Sequence, residues 1–279
     1  MGPMDCGGRP LDLSRPCVMG VLNLTPDSFS DGGVLLRPED ALERALQMVE
    51  EGADIIDVGG ESTRPGASPV SADDEIARVV PLIAALAPRV SVPISVDTSK
   101  PEVMRAAVAA GAGMINDVRA LRLPGAMEAA REAGVPVCLM HMQGEPWTMQ
   151  ADPRYTDVVA EVGAFLVERI HACVAAGIPR QRLLIDPGFG FGKTLAHNLA
   201  LLAGLPALLA LGPPLLVGLS RKSMIGALTG RPMAERLAGS LAAAVLAVER
   251  GARVVRVHDV AATVDALRVA WAVRGAVAG

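Results

Sequence analysis

Residues 186–193 read Asp-Pro-Gly-Phe-Gly-Phe-Gly-Lys, so a carboxylate ends an apolar run (Leu183, Leu184, Ile185) and alternating glycines and a lysine follow it. Such a segment reads as a buried strand that releases an acidic side chain into a pocket, with a bare backbone loop closing over it. Two nucleotide-binding motifs come close and neither is met. A P-loop needs a glycine where Pro187 stands, and the dinucleotide fingerprint needs one where Lys193 stands. The glycines read instead as letting the backbone approach a flat ring closely.

Asp97, Asn116 and Asp186 form a second set. Two carboxylates and an amide at the base of a pocket suit the donor-rich edge of an aminopyrimidine-type heterocycle, because carboxylates accept from adjacent ring N–H and amino groups. A metal is the alternative, although Mg²⁺ in an all-oxygen site usually borrows phosphate oxygens. Cations accompany these acceptors. Residues 219–223 (Leu-Ser-Arg-Lys-Ser) pack two cations and two hydroxyls together, and Arg256 and His258, two apart, point to the same side of a strand. Arg64 lies in a Gly/Ser/Thr-rich loop at 59–66, and a long polar loop spans 23–33. Both loops suit lids that order over a substrate, or ordinary surface turns. Acceptors and cations together point to a heterocycle joined to a phosphate or diphosphate.

The elements that must position these groups alternate strictly. Strands are expected at 17–23, 55–59, 94–97, 114–117, 135–141, 183–186, 215–219 and 254–258. Helices are expected at 38–51, 74–86, 101–110, 125–133, 156–176, 195–202, 234–249 and 261–274, several closed by glycine (Gly52, Gly111, Gly134, Gly177, Gly251). Eight such units require a parallel α/β sheet and suit a single (β/α)8 TIM barrel over 16–279 with a short N-terminal extension at 1–15, which reads as a leading strand, cap or loose tail. Asn23, Gly59 with Glu61, Asp97, Asn116 with Asp117, His141, Asp186, Ser220 with Lys222, and His258 all fall at or just after strand C-termini. In a parallel barrel those ends form one rim, and the rim carries the active site.

Bulk properties exclude other classes. Of 279 residues, 51% are hydrophobic and 20% charged, the pattern of a globular chain. A net charge of −4 and only 3% aromatic residues argue against a nucleic-acid surface. The longest apolar stretches, 199–211 and 241–248, are too short to span a membrane. No basic segment followed by an apolar core opens the chain, so a cytoplasmic location is expected. Four cysteines lack metal-site spacing, and core packing is the reading for Cys138 and Cys173. Three lysines against 23 arginines make each lysine worth inspecting.

With these motifs in order, the chain resembles the dihydropteroate synthases of the pterin-binding TIM-barrel family from about residue 18 to 258. The resemblance rests on the segments at 20–33, 59–66, 95–98, 115–118, 140–144, 186–193, 218–223 and 256–259. It implies condensation of 6-hydroxymethyl-7,8-dihydropterin diphosphate with 4-aminobenzoate to give 7,8-dihydropteroate and diphosphate. It further implies a pterin pocket of Asp97, Asn116, Asp186 and Lys222, with Arg256 stacked on the pterin face. Asn23 would coordinate Mg²⁺, and His258 and Arg64 would help to hold diphosphate. Thr63, Pro65, Phe191, Lys222 and Ser223 would surround aminobenzoate, with Phe29 closing that side. A homodimer through late helices is implied as well. Two rivals share the fold: a pterin-binding paralogue without catalysis, and a methyltetrahydrofolate-binding methyltransferase. The intact loops bearing Phe29, Asp31 and Arg64 disfavour the first, and the diphosphate-suited cations disfavour the second.

Overall fold

The computed structural model describes residues 2–25, 38–62, 69–145 and 147–277. An antiparallel hairpin, β1 (Met4–Cys6) and β2 (Arg9–Leu11), opens the chain. Eight parallel strands follow: β3 (Cys17–Asn23), β4 (Ile55–Gly59), β5 (Ile94–Asp97), β6 (Met114–Asp117), β7 (Val137–Met140), β8 (Leu183–Asp186), β9 (Leu216–Gly218) and β10 (Val254–Val257). They run in the order β8-β7-β6-β5-β4-β3-β10-β9, and a parallel bridge between Ile185 and Leu215 joins β8 to β9, closing the (β/α)8 barrel.

Helices α1 (Pro38–Glu50), α2 (Ala72–Leu86), α3 (Pro101–Ala109), α4 (Ala126–Ala133) and α5 (Val158–Ala175) each follow one strand. Between β8 and β9 run α6 (Leu195–Ala203) and the short α7 (Leu205–Leu208). Between β9 and β10 run α8 (Ser223–Thr229) and α9 (Leu237–Glu249), and α10 (Val260–Val277) ends the described chain. The sequence pattern does not single out α7 and α8, each shorter than two or three turns. None of these helices is long and apolar enough to cross a membrane.

The two-residue strand period divides the apolar residues between two cores. Met19, Ile55, Met114, Cys138, Leu184, Leu216 and Val254 point inward and fill the barrel. Their neighbours Val18, Ile56, Ile115, Val137, Ile185, Val217 and Val255 point outward against helix residues such as Ala45, Ile83 and Leu166. All four cysteines are buried and unpaired by disulfide, and burial first of all pushes the Cys6 and Cys17 thiols up to about 12.

The N-terminal hairpin plugs the base of the barrel. Met4, Cys6, Leu11 and Leu13 join the inner core directly. Arg9 donates to Ala87 O at 2.7 Å and Gly111 O at 3.4 Å, placing a cation at the C-terminal ends of α2 and α3, where the helix dipole favours one. The fit is tight enough that a Cβ on Gly113 would lie 2.1 Å from Cys6 O. Gly113→Ala is therefore expected to lower stability by about 1–3 kcal/mol, the usual cost of overpacking. Gly275→Ala, in α10 with nothing within 4 Å of its Cβ position, is the control that should lose no stability in thermal unfolding.

Candidate active site

Inward parity carries the polar set to the C-terminal rim. Asp97 ends β5, Asn116 lies in β6, Asp186 ends β8 and Arg256 lies in β10; the first three are buried. One carboxylate organises two of them. Asp57, mid-strand in β4 and 0% exposed, accepts from Arg256 Nε at 2.6 Å and from Asn116 Nδ2 at 3.2 Å. Arg256 Nη2 donates to Asp97 Oδ2 at 2.7 Å. The guanidinium thus lies between two carboxylates.

The electrostatics follow from that enclosure. Burial pushes Asp97 up to about 7; Arg256 opposes the shift and Asp57 adds to it. Burial also works against the Arg256 cation, but Asp57 and Asp97 outweigh it and hold its pKa above the ordinary value. Asp186 is raised by burial, with the Gly188 N–H, 2.7 Å from Oδ1, and Lys222 opposing. Burial brings Lys222 down to about 8, against the pull of Asp186. Carboxylates whose charge is held back by burial gain most from donors that arrive with a ligand.

The glycine loop, residues 188–192, forms the other wall. Each of its five carbonyls accepts from a side chain: Gly188 O and Phe191 O from Lys193, Phe189 O from Lys222, Gly190 O from Gln150, and Gly192 O from Tyr155. Lys193 Nζ also lies 2.9 Å from His141 Nδ1, which makes that nitrogen the acceptor of a neutral imidazole. The expectation that these glycines admit a flat ring is corrected at Gly188 and Gly192, which face backbone, whereas Gly190 faces the Lys222 side chain. Gly188 has φ +69 and its Cβ would lie 1.9 Å from His141 O; Gly192 has φ +63 and its Cβ would lie 2.4 Å from Gln143 O. The loop packs on the backbone after β7, and only glycine permits it. Phe191 packs against Met140, Met142 and Met149, and Lys222 Nζ lies 4.4 Å from its ring centroid.

Other rim residues turn out to build loops. His141 faces Lys193. Asp117 accepts from Ser99 Oγ at 2.5 Å and from the N–H groups of Arg119 and Leu121, holding the turn in which Ala120 and Leu121 have positive φ. Glu61 accepts from Val70 N–H at 3.0 Å and Lys100 at 2.8 Å, joining the two ends of the loop after β4 (the second loop), and Lys100 also pairs with buried Glu75 at 2.5 Å. The cluster at 219–223 is split. Lys222 turns to the glycine loop, Arg221 pairs with Asp259 at 2.5 Å, and Ser220 Oγ meets His258 Nδ1 at 3.1 Å. Ser223 is exposed at the start of α8. Phe29, Asp31, Thr63, Arg64 and Pro65 lie outside the described residues.

For Mg²⁺, the described residues contain no group of three or more His, Cys, Asp or Glu side chains able to hold a metal. Asn23, at the end of β3, brings a hard oxygen to the rim, its Oδ1 lying 3.3 Å from the Cβ position of Gly59. A single protein oxygen fits an ion that keeps waters and takes phosphate oxygens from its substrate.

Asp57, Gln150 and Tyr155 escaped the sequence reading. The signal for Asp57 was available: it shares inward parity with Ile55 and Gly59, and a carboxylate within an apolar strand demands a partner.

The His141–Lys193 contact has a pH signature. An imidazole titrates near 6.5 in an unfolded chain, whereas burial, and then Lys193, push His141 down to about 3. Between those limits the unfolded state binds the extra proton. The contribution to stability is full above about pH 6.5 and is lost as pH falls towards about 3. In denaturant titrations from pH 7 to about 4, wild type should lose stability more steeply than His141→Asn. Parallel curves would contradict a neutral, buried His141.

The model of the family described as pterin binding enzyme matches residues 19–258. A dihydropteroate synthase of Escherichia coli (strain K12) is 58% identical over 262 residues, covering 94% of this chain and 93% of its own. A solved Yersinia pestis dihydropteroate synthase in complex with a sulfonamide drug superimposes with TM-score 0.94 at 54% identity, covering 98% of this chain and 100% of that one. The Xanthomonas albilineans dihydropteroate synthase in complex with 7,8-dihydropteroate does so with TM-score 0.89 at 57% identity, covering 98% of each chain.

Proposed function

The chain belongs to the family of pterin-binding enzymes, and from that premise we infer that it catalyses the dihydropteroate synthase reaction. It is a transferase that joins 6-hydroxymethyl-7,8-dihydropterin diphosphate to 4-aminobenzoate, giving 7,8-dihydropteroate and diphosphate. The observation that carries this reading is the convergence of buried acceptors and a doubly held guanidinium at one barrel rim, in a chain 58% identical to a dihydropteroate synthase over 94% of its length.

We propose the following roles. Asp97, Asn116 and Asp186 accept from the donor edge of the pterin, a match that strengthens because water is kept from the carboxylates. Arg256 lays its guanidinium plane on the ring, the use to which a planar, permanently charged group is suited. Lys222, which donates to Phe189 O in this structure, supplies a further donor to the pterin from the glycine loop side. His258 and Arg64 hold diphosphate. Thr63, Pro65, Phe191 and Ser223 surround aminobenzoate, and Phe29 closes over it.

The bond from the pterin methylene carbon to the diphosphate oxygen breaks first, and diphosphate departs with the electron pair. The neutral arylamine nitrogen then forms the new carbon–nitrogen bond and gives up a proton. Cations around the leaving group lower the cost of its charge, and closed loops keep competing water away. Asn23 would hold Mg²⁺, which when bound supplies positive charge for the diphosphate. No side-chain nucleophile is needed.

We further propose a cytoplasmic homodimer formed through late helices, where Leu237, Leu246, Val269 and Val273 of α9 and α10 are exposed. Light scattering should then give twice the 28.8 kDa chain mass; a monomer at micromolar concentration would contradict it.

The reading is tested by diphosphate release with purified protein, the dihydropterin diphosphate and Mg²⁺, with and without 4-aminobenzoate. Release should require the amine and yield dihydropteroate. Pterin binding without release would replace catalysis with a silent binding role. Asp186→Asn should weaken pterin binding by about 2–5 kcal/mol, the range for truncating one partner of a buried charged hydrogen bond. Unchanged affinity in calorimetry would remove Asp186 from the pocket.

A further inference from the structure

Among the described residues, Asp57 is the one carboxylate of the barrel interior that the roles above leave unused. It lies within β4 at 0% exposure, where an unpaired charge is costly. Its Oδ2 takes both Arg256 Nε and Asn116 Nδ2, while its Oδ1 is buried without a partner. The carboxylate is therefore directed at these two side chains.

The choice of donors has consequences. An Arg held at Nε by Asp57 and at Nη2 by Asp97 is fixed at two points of one rigid plane, so the plane cannot turn about its stem. The Asn116 amide has two chemically opposite branches. With Nδ2 donating to Asp57, the reverse orientation would set an amide oxygen against a carboxylate oxygen, so Oδ1 must take the other branch. Asn116 sits beside Asp97 at the rim end of β6, so the remaining branch is the one left for a ligand at that rim.

We propose that Asp57 is a positioning residue that sets ligand specificity: by holding Asn116 Nδ2 and Arg256 Nε, it makes Asn116 present an acceptor to the heterocycle edge beside a fixed guanidinium plane. Asp57 itself touches no ligand. The pocket then presents acceptors from Asp97, Asn116 and Asp186 in one row, and it selects a ring whose edge carries an amino group over the same ring with a carbonyl there. A site built to accept from an amino group rejects its carbonyl analogue strongly, because two acceptors are left facing each other.

The proposal rests on the pterin-binding reading, and its test separates the two. The affinities of 6-hydroxymethylpterin (2-amino-4-oxo) and of the corresponding 2,4-dioxopteridine are measured by calorimetry for wild type, Asp57→Ala and Asp57→Asn. Wild type should prefer the 2-amino ring; failure to bind either ring would sink the pterin reading itself. Asp57→Ala frees the Asn116 amide to turn over, and the preference should fall at least about tenfold, beyond any common loss of affinity. Asp57→Asn can place its amide oxygen under the same two donors, so it should keep the preference within about threefold while binding both rings more weakly. A preference unchanged in Asp57→Ala, with both affinities reduced equally, would make Asp57 merely structural and overturn the proposal. If Asp57→Ala does not fold, Asp57→Ser, too short to reach both donors, is measured in its place under the same criteria.

Discussion

The active rim depends on one enclosed ion group, Arg256 between Asp57 and Asp97. Two carboxylates and a guanidinium inside a barrel would destabilise the fold if any one of them lacked its partner. The arrangement holds because the strands deliver the three side chains at fixed spacing from β4, β5 and β10, and Asn116 on β6 adds a donor. Burial raises Asp97 to about 7 while Arg256 opposes the shift, so the pairing offsets part of the cost of enclosing this carboxylate. On the proposed reading, stability and recognition share one set of contacts.

The glycine loop solves a different problem. Its backbone must pass close to the chain after β7, and each of its carbonyls needs a donor in a region with little water. Lys193, Lys222, Gln150 and Tyr155 provide them. All three lysines of the chain lie in such places, since Lys100 ties the second loop to α2 through Glu61 and Glu75. Positive charge elsewhere is left to arginine, and the lysines are spent on compact, multiply bonded positions around the rim.

Much of this was legible in the sequence, because period-two strands and polar strand ends are local patterns. The α/β barrel and the strands 17–23, 55–59, 94–97, 114–117 and 183–186 coincide with the observed elements. What was not legible depends on contacts across many residues. Gly188 reads as room for a ring until His141 O is found against it. His141 and Asp117 look like rim chemistry until their partners, Lys193 and the 119–121 turn, come into place. Asp57 lies mid-strand and not at a strand end, and its partners come from a neighbour two strands away and another late in the chain. The N-terminal segment carries no periodic signal of its own, yet its hairpin closes the barrel base.

On the proposed reading the barrel interior presents a preformed floor for a pterin, with Arg256 held before the ligand arrives. A crystal structure of this chain with 6-hydroxymethyl-7,8-dihydropterin tests it most directly. The pterin edge should lie on Asp97, Asn116 and Asp186, with Arg256 over the ring while still bonded to Asp57. A pterin seated away from these acceptors, or an Arg256 that leaves Asp57 to reach it, would contradict the account.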